Sequence, residues 1–340
     1  MNSLQRVVAA VTGGPIDRPP VLPVLLQQGA RELGMSLREY FQRPTRLAEG
    51  QTRLIDHFGH DGVFAFPHVV QDTLPWGAPL RFSDEGPPSV DAMVIRRYEE
   101  IPDLRVPDPT SHEYLRHTLE SARSLAAEFK GEKLIVGAVI GPFSLPTLLM
   151  GTGKFLSLIV QHDAMRERYL EPLLETMFRY TTRWANAQLE AGCDIVVIAE
   201  GIASASVIQE NTFLKHALPL LDRTVRAIDG LVGVELVGDA LPFARHLRHL
   251  PCAVLLIGSG DAPDAMRAAI GPDKALMGNL NNLELIRWEP DRVEFEAHRL
   301  LDLAGDRFIL SNQGPEIPWA VPTANIEALI RVAQRAPAPA

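Results

Sequence analysis

Eight short apolar runs, separated by amphipathic helical segments, constrain the fold of this chain most strongly. The runs are continuously apolar rather than alternating, which is typical of parallel strands that are buried on both faces. They are VLPVLL (21–26), GVFAFP (62–67), LIVGAVIG (134–141), DIVVIAE (194–200), GVELVG (233–238), AVLLIG (253–258), ALMGN (275–279) and RFILSN (307–312). Eight such strands alternating with helices predict an α/β fold, a single (β/α)8 TIM barrel, and a chain of 340 residues suits that size class.

A doubly wound parallel sheet is the alternative fold. It usually carries a glycine-rich phosphate-binding turn after its first strand, and LLQQGARELG is not such a turn. We expect one barrel domain over residues 1–334, with a helix at VVAAVTG (7–13) before the first strand and a disordered tail at 335–340.

Residues 76–110 do not fit a minimal barrel, because they are rich in Pro and Gly and contain two short extended pieces, APLRF and AMVIRRY. This composition predicts a hairpin excursion after the second strand. Two interpretations of it stay open. The hairpin is either a decoration or part of a lid over the mouth, meaning the end of the barrel where the strands terminate.

The net charge of −9 disfavours nucleic acid as a partner, because phosphate binding requires a basic face. Cys193 and Cys252 each adjoin an apolar run and fit buried thiols, and no CxxC zinc pattern is present. No apolar run approaches the roughly 18 residues of a membrane span, and no long apolar leader is recognisable at the N-terminus. We therefore expect a cytoplasmic protein that binds neither nucleic acid nor membrane.

In a (β/α)8 barrel the active site lies at the C-terminal ends of the strands. Polar residues at or after the strand ends are therefore the candidates for a site. They include Gln28, Arg31, His68, Asp72, Ser144, Glu200, Glu235, Asn279, Asn312, Gln313 and Glu316. The set is rich in acids and amides and poor in bases, which fits a cationic substrate, a metal, or carboxylates in acid/base roles better than a polyanion.

Glu235 is the strongest of these candidates, because it lies between Val234 and Leu236 in a run that should be buried. A buried carboxylate is costly unless it finds a partner or shifts its pKa. We therefore predict that Glu235 points into the mouth, near His68 or another polar group. Asp72 has a simpler interpretation as the organiser of the turn DTLPWG.

Seven motifs occur in an order that resembles the uroporphyrinogen decarboxylase superfamily, which includes methylcobalamin:thiol methyltransferases. They span nearly the whole chain, and the resemblance implies a (β/α)8 barrel with its site at the mouth. The motifs are SLREYFQRPTRLAEGQTRLIDHFGHDGV, FPHVVQDTLPWGAPLRFSDEGPPSV, GAVIGPFSLPTLLMG, LEAGCDIVVIAEGIAS, ALPLL, ALMGNLNNLEL and FILSNQGPEIPWAVPTANIEALI.

The chain departs from the decarboxylases at the residues that resemblance would make catalytic. The R-Q-A-G-R-like segment reads LLQQGAR, so only Arg31 matches one of the two arginines. His68 stands where the decarboxylases carry an aspartate, with Asp72 nearby. Uroporphyrinogen, which carries eight carboxylates, is therefore not the expected substrate.

The zinc ligands of the methyltransferase branch are also replaced. The motif H-x-C-G reads Glu235-Leu236-Val237-Gly238, and the second Cys falls in Gln313-Gly314-Pro315. A sulfur-rich tetrahedral zinc site is thus not implied. Glu235 and His68 remain the candidates for a site of harder ligands, and whether a metal is bound stays open.

These observations predict a superfamily enzyme that acts on a small organic substrate by methyl transfer or demethylation. The expected catalytic residues are Glu235 as general acid/base, His68 as its proton-transfer partner, and Asp72. Substrate binding is expected from Gln28, Arg31, Ser144, Glu200, Asn279, Asn312 and Gln313. The candidate cofactors are a corrinoid, carried by a partner protein, and a divalent metal. Neither NAD nor ATP is expected. The chain is also a candidate to form a homodimer.

Two alternatives remain open. The first is a cofactor-independent decarboxylase of a small carboxylic acid, in which Arg31 holds the carboxylate and His68 protonates the carbanion. The second is a barrel that binds a ligand without catalysis.

Overall fold

The structure, a computed structural model, describes residues 1–337, which form fifteen α-helices and nine β-strands. The helices are α1 Ser3–Thr12, α2 Gln28–Glu32, α3 Leu37–Gln42, α4 Leu47–Phe58, α5 Glu113–Phe129, α6 Leu145–Met150, α7 Thr152–Ile159, α8 Asp163–Met165, α9 Glu171–Glu190, α10 Glu210–Thr212, α11 Leu218–Ala227, α12 Ala244–Leu247, α13 Pro263–Ile270, α14 Pro290–Ala304 and α15 Thr323–Arg335. The strands are β1 Gly62–Phe64, β2 Leu80–Arg81, β3 Ser89–Val90, β4 Leu134–Ile140, β5 Ile195–Glu200, β6 Leu231–Leu236, β7 Val254–Leu256, β8 Ala275–Leu280 and β9 Phe308–Asn312. The predicted tail begins at the last residue of α15, Arg335, and its second half, residues 338–340, lies outside the described residues.

Seven strands form one parallel sheet in the order β1-β4-β5-β6-β7-β8-β9 within the described residues. Each coincides with a predicted apolar run, and helices lie between most of them. Strands β4 and β9 are buried along their whole length, as the continuous apolar pattern predicts.

The first apolar run closes the barrel without forming a regular strand. Val21 makes a parallel bridge to Leu310 of β9, and on its other side its carbonyl accepts the N–H of Asp61 at 3.0 Å, just before β1. Pro20 and Pro23 have no N–H, so this segment cannot maintain a continuous ladder. The (β/α)8 fold class is therefore confirmed, with the first of the eight strands reduced to a bridge.

Helix α1 is held across the N-terminal end of the barrel by a buried ion-pair cluster. Asp61 is fully buried and accepts hydrogen bonds from Arg6 at 2.8 Å and from Arg18 at 2.9 Å. The same carboxylate accepts the N–H of Val21 at 2.8 Å. Because every partner is in place, this cluster fixes α1 against the sheet.

The excursion after the second strand is a hairpin, as predicted, but its second strand is displaced. Strands β2 and β3 pair antiparallel, with Leu80 opposite Val90. The piece AMVIRRY, expected to be extended, contains no strand. Its Ile95 is buried and donates its N–H to the carbonyl of Leu149 at 2.8 Å, so this piece docks on α6 instead of pairing with β2.

Residues 37–58 form two helices, α3 and α4, because Pro44 between them supplies no N–H for a continuous helix. Within the described residues, none of the helices is both long and apolar enough to cross a membrane.

Candidate functional site

Two cavities meet at Glu235. The first, which we call the lumen, lies inside the barrel and has a volume of about 430 Å³. The second, which we call the mouth cavity, has a volume of about 250 Å³ and lies at the C-terminal ends of β6, β7 and β9. Their linings share Glu235, Val237 and Pro315. Glu235 is therefore the carboxylate at the junction of both spaces.

The lumen is lined almost entirely by apolar side chains of the strands. In a typical (β/α)8 barrel, bulky branched residues fill this space in layers. Here Ala138, Ala199 and Gly233 contribute little or no side chain to the lining, which leaves room in the centre. The polar residues of the lining are Thr12, Ser144, Thr147, Glu235 and Glu316.

Glu235 is held rigidly by its strand but has a free carboxylate oxygen. Its backbone pairs with Ala199 of β5 on one side and with Leu256 of β7 on the other. The residue is 8% exposed, and its Oε1 has no hydrogen-bond partner. Burial, with the negative charge of Glu316 as a second cause, raises the pKa of Glu235 from 4.5 to about 7. A carboxyl with this pKa can both donate and accept a proton near neutral pH.

Gly314 makes room for this carboxylate. A Cβ at Gly314 would overlap Oε1 of Glu235, so the carboxylate can keep this position only beside a residue without a side chain. In the sequence, this segment is notable only because it lacks the cysteine of the zinc motif. Its actual contact with Glu235 depends on the path of the loop after β9.

Glu316 is the charged group that acts on Glu235, and sequence reasoning assigned it no role. It lines the lumen with Glu235, and burial raises its pKa. The Gln27 side-chain amide donates to Glu316 Oε1 at 3.5 Å and to the carbonyl of Ile317 at 3.4 Å. Its position four residues beyond Asn312 marks Glu316 as a strand-end acid, but only the loop path brings it to Glu235.

The mouth cavity is lined by glycines and polar loops. Gly238, Gly258 and Gly260 line it, together with Asp239 and Gln313. Gln313 accepts the N–H of Ser259 through Oε1 at 2.9 Å, which ties the loop after β9 to the loop after β7. In the described residues, neither cavity lining contains Lys, Arg or His. Both spaces are therefore acidic, which disfavours an anionic ligand.

Ser144 and Glu200, both predicted to bind substrate, lie in direct contact. The Ser144 hydroxyl donates to Glu200 Oε2, and the N–H of Phe143 donates to Glu200 Oε1 at 3.2 Å. Glu200 is fully buried, and burial raises its pKa from 4.5 to about 7. Ser144 lines the lumen, whereas Glu200 lies behind it and holds it in place.

His68 lies outside the linings of both cavities, with both ring nitrogens engaged. Its Nδ1 accepts the N–H of Gln71 at 3.2 Å, and its Nε2 lies 2.9 Å from the hydroxyl of Tyr114, which donates onward to the carbonyl of Phe41. Because Nδ1 accepts, the ring proton is assigned to Nε2. Burial lowers the pKa of His68 to about 3, so the ring is neutral at physiological pH. The structure gives it no hydrogen bond to Glu235 within residues 1–337.

Asp72 also lies away from both cavities. Its Oδ2 accepts the N–H of Ile140 at 2.7 Å, and its Oδ1 accepts the indole N–H of Trp184 at 2.9 Å. Burial raises the pKa of Asp72 from 3.8 to about 8. Instead of organising only its own turn, this carboxyl joins the 3₁₀ helix Val69–Trp76 to β4 and α9.

The remaining predicted binding residues shape the loops of the mouth. Arg31 donates to the carbonyl of Trp319 at 2.8 Å and stacks over its ring at 4.5 Å. The Asn279 amide donates to the carbonyls of Gly258 and Asp261, each at 2.7 Å.

Asn312 and Gln28 have similar loop-holding contacts. Asn312 accepts the N–H of Val24 at 2.8 Å and donates to the carbonyl of Pro315 at 3.0 Å. Gln28 donates to the carbonyl of Ile317 at 2.9 Å. The Oε1 of Gln28 is buried without a hydrogen-bond partner in the described chain, as is that of Gln27.

The residues at the junction do not fit a zinc site with sulfur-rich ligands. Among residues 1–337, no group of three or more His, Cys, Asp or Glu side chains is placed to hold a metal. The two acids that line the lumen, Glu235 and Glu316, are carboxylates, which are hard ligands. Cys193 and Cys252 are buried elsewhere, and burial raises the pKa of their thiols to about 12 and about 11.

Comparison with known proteins places this geometry in context. Residues 2–336 match the family described as "Uroporphyrinogen decarboxylase (URO-D)". Uroporphyrinogen decarboxylase of Actinobacillus pleuropneumoniae serotype 5b (strain L20) is 25% identical over 332 residues, covering 88% of each chain. Methylcobamide:CoM methyltransferase MtaA of Methanosarcina barkeri is 24% identical over 337 residues, covering 96% of this chain and 95% of its own. The solved structure of a methyltransferase from Methanosarcina mazei superposes with a TM-score of 0.89 at 20% identity, covering 98% of each chain, which shows a shared fold.

Proposed function

The chain belongs to the uroporphyrinogen decarboxylase family, and from this membership we propose that it is an enzyme that removes a methyl group from an oxygen or nitrogen atom of a small, largely apolar substrate. Glu235 acts as general acid, and a corrinoid supplied by a partner protein accepts the methyl group. One observation carries the proposal. A buried carboxyl with a pKa of about 7 and an unpartnered oxygen lies where an apolar cavity meets a polar one.

The proposed step needs a proton, and Glu235 supplies it. The bond between the methyl carbon and the substrate heteroatom breaks, and a cobalt(I) corrinoid, when bound, would supply the electron pair for the new bond to that carbon. The heteroatom keeps the pair of the broken bond and takes the proton of Glu235. An oxygen leaving group needs this proton most, since an alkoxide is a poor leaving group. Water afterwards returns a proton to Glu235.

Glu316 supports the protonated form of Glu235. Its negative charge opposes ionisation of its neighbour, which adds to the effect of burial. A proton donor is most effective when its pKa lies near the working pH, and general acid catalysis of this kind contributes roughly 10²- to 10⁴-fold in rate.

The methyl acceptor is proposed from two observations. A relative that matches 96% of this chain is named for methylcobamide. The mouth cavity borders Glu235, and its rim residues Ser259 and Gly260 are exposed, so an acceptor carried by another protein has an approach from solvent. Removal of a methyl group from the substrate suits these residues better than methylation of a thiol, because the zinc ligands that would activate the thiol are absent from the junction.

Decarboxylation of a small carboxylic acid requires a cation to hold the carboxylate. Arg31 and His68, the residues expected to serve it, are engaged with loop carbonyls and with Tyr114, and neither lines a cavity.

The test incubates the purified protein with free cob(I)alamin and a panel of methoxybenzenes, alkyl methyl ethers and N-methylammonium compounds, and follows the loss of cob(I)alamin absorbance. We expect turnover with at least one class of donor and a roughly 10²- to 10⁴-fold lower rate for Glu235→Gln. Glu99→Gln, at an exposed carboxylate, is the matched control and should keep the full rate. Absence of methyl transfer with every donor, together with CO2 release from small acids, would replace the proposal with decarboxylation.

A further inference from the structure

The lumen runs along the barrel from one end to the other. Inward-facing positions of β6 alternate along the strand, and Leu231, Gly233, Glu235 and Val237 all line the same space. At roughly 3.3 Å per residue, the six steps from Leu231 to Val237 extend about 20 Å. The lumen is therefore an elongated space with the carboxylate Glu235 near one end.

The far end of the lumen reaches the surface beside α1. Val8 of α1 and Leu231 at the start of β6 both line the lumen, yet they are 46% and 54% exposed. Asp61 fixes this helix through Arg6, so the end is bordered by an anchored element. No charged residue lines this end of the lumen in the described chain. A ligand that enters at the mouth therefore meets no charged barrier there.

We infer that the lumen binds the apolar body of an amphiphilic ligand whose uncharged or cationic polar head lies at Glu235 and Glu316. This assignment rests on the proposed function, which places the reacting group of the substrate at Glu235. It adds the class of substrate that would bind. The reacting methyl group would be on the head, and a hydrocarbon portion would extend toward α1.

The size of the lumen supports a body larger than one ring. An engineered apolar cavity of about 150 Å³ holds a benzene molecule. The lumen, at about 430 Å³, is close to three times that volume. It therefore suits a hydrocarbon of roughly fifteen carbon atoms, a fused-ring or alkyl body, better than a very small polar molecule.

The charges at the junction determine which head is accepted. Glu235 and Glu316 both line the lumen, and in the described residues no cation lines it with them. The unpartnered Oε1 of Glu235 can accept a hydrogen bond or, when protonated, donate one. An anionic head such as a carboxylate would meet two acids and no cation, which is unfavourable in a space of low dielectric.

Binding of N-phenyl-1-naphthylamine, a dye that fluoresces in apolar sites, tests the assignment. Straight-chain amines, alcohols and carboxylates of four to sixteen carbons then displace the dye. We expect affinity to rise about fourfold per methylene until the lumen is filled, and then to level off. At equal chain length, amines and alcohols should bind more tightly than carboxylates.

Variants locate the binding site. Val197 lies in the middle of the lumen lining, and Val197→Phe should move the plateau to shorter chains. Val160→Phe, at a valine that is 77% exposed on the surface, is the matched control and should leave the plateau unchanged. Thermal unfolding shows whether Val197→Phe folds. If the phenylalanine prevents folding, Ala199→Leu is the second variant that narrows the lumen.

The outcomes separate this inference from the proposed function. Affinity that does not depend on chain length, or an equal response of Val197→Phe and Val160→Phe, would overturn the lumen assignment even when small methyl donors are turned over. Chain-length-dependent binding that Val197→Phe shortens, without methyl transfer to cob(I)alamin, would support the lumen and refute the proposed reaction. Preferential binding of carboxylates would refute the head assignment.

Discussion

Replacement of Glu235 by Gln should change how the stability of the protein depends on pH. In the folded chain the pKa of Glu235 is raised from 4.5 to about 7, chiefly by burial. The folded state therefore keeps a proton that the unfolded state releases between these two pH values. Below pH 4.5 both states are protonated, and the raised pKa costs no stability.

The sign and size of the effect follow from linkage between proton binding and folding. As pH rises from 4.5 through about 7, the unfolded state binds fewer protons at this position than the folded state, so the free energy of unfolding falls. The interval is about 2.5 pH units, and at about 1.4 kcal/mol per unit the loss amounts to about 3 kcal/mol. Glu235→Gln has no proton to lose and should escape this loss.

Urea unfolding followed by circular dichroism, at pH values from 4.5 to 8.5, measures the prediction. The difference in unfolding free energy between Glu235→Gln and the wild type should be small at pH 4.5 and should grow to about 3 kcal/mol in favour of the variant by pH 8.5. Asp72 and Glu200, whose pKa values are also raised, contribute to both proteins and cancel in the difference. Glu99→Gln is the control for removal of a charge.

A difference that stays constant across this pH range would refute the reasoning. It would mean that Glu235 is ionised in the folded protein at neutral pH, and the general-acid role would lose its physical basis. A difference that grows in the opposite direction would mean that an unrecognised cation stabilises the carboxylate.

Three further substitutions have expected outcomes. Gly314→Ala should displace the Glu235 carboxylate, lower methyl transfer at least tenfold and cost about 1–3 kcal/mol, the range for forced overpacking, measured by turnover and urea unfolding. Trp184→Phe should leave Oδ1 of buried Asp72 without its donor and lower the free energy of unfolding by about 1–3 kcal/mol in urea titrations. His68→Ala should reduce stability by a similar amount and change kcat less than tenfold, because both ring nitrogens hold structural partners.

Controls for these substitutions lie in exposed or open positions. A Cβ at Gly86 meets no atom, so Gly86→Ala should be neutral where Gly314→Ala is not. His298 is exposed on α14, and His298→Ala should leave stability unchanged. Full activity in Gly314→Ala would contradict the proposed geometry of Glu235, and a hundredfold loss of kcat in a stable His68→Ala would restore the catalytic role that the sequence predicted.

Local patterns in the sequence were sufficient for the fold and for the burial of Glu235. Continuously apolar runs of this length are typical of strands that are covered on both faces, and eight of them alternating with helices favour a parallel barrel. A glutamate between Val234 and Leu236 in such a run must be buried, and the raised pKa follows from that burial. These are properties of neighbouring residues, which is why the sequence determines them.

The tertiary structure decided which polar groups meet. Glu235 was expected near His68 or another polar group. Glu316 on the loop after β9 lines the same cavity, whereas His68 is engaged by Gln71 and Tyr114. Strand-end position places many side chains at one end of a barrel, yet it does not tell which of them point inward. That choice depends on loop paths and on backbone donors far away in the sequence.

The empty space in the barrel is likewise a property of the tertiary structure alone. The sequence shows small residues such as Ala199 and Gly233, but small residues in strands are usually packed by larger ones across the barrel. Whether they leave a void depends on the side chains of all the strands together, including the segment at Val21 that prolines reduce to a bridge. The sequence by itself therefore determined the barrel and its buried acid, whereas only packing across the whole sheet created the lumen that the acid faces.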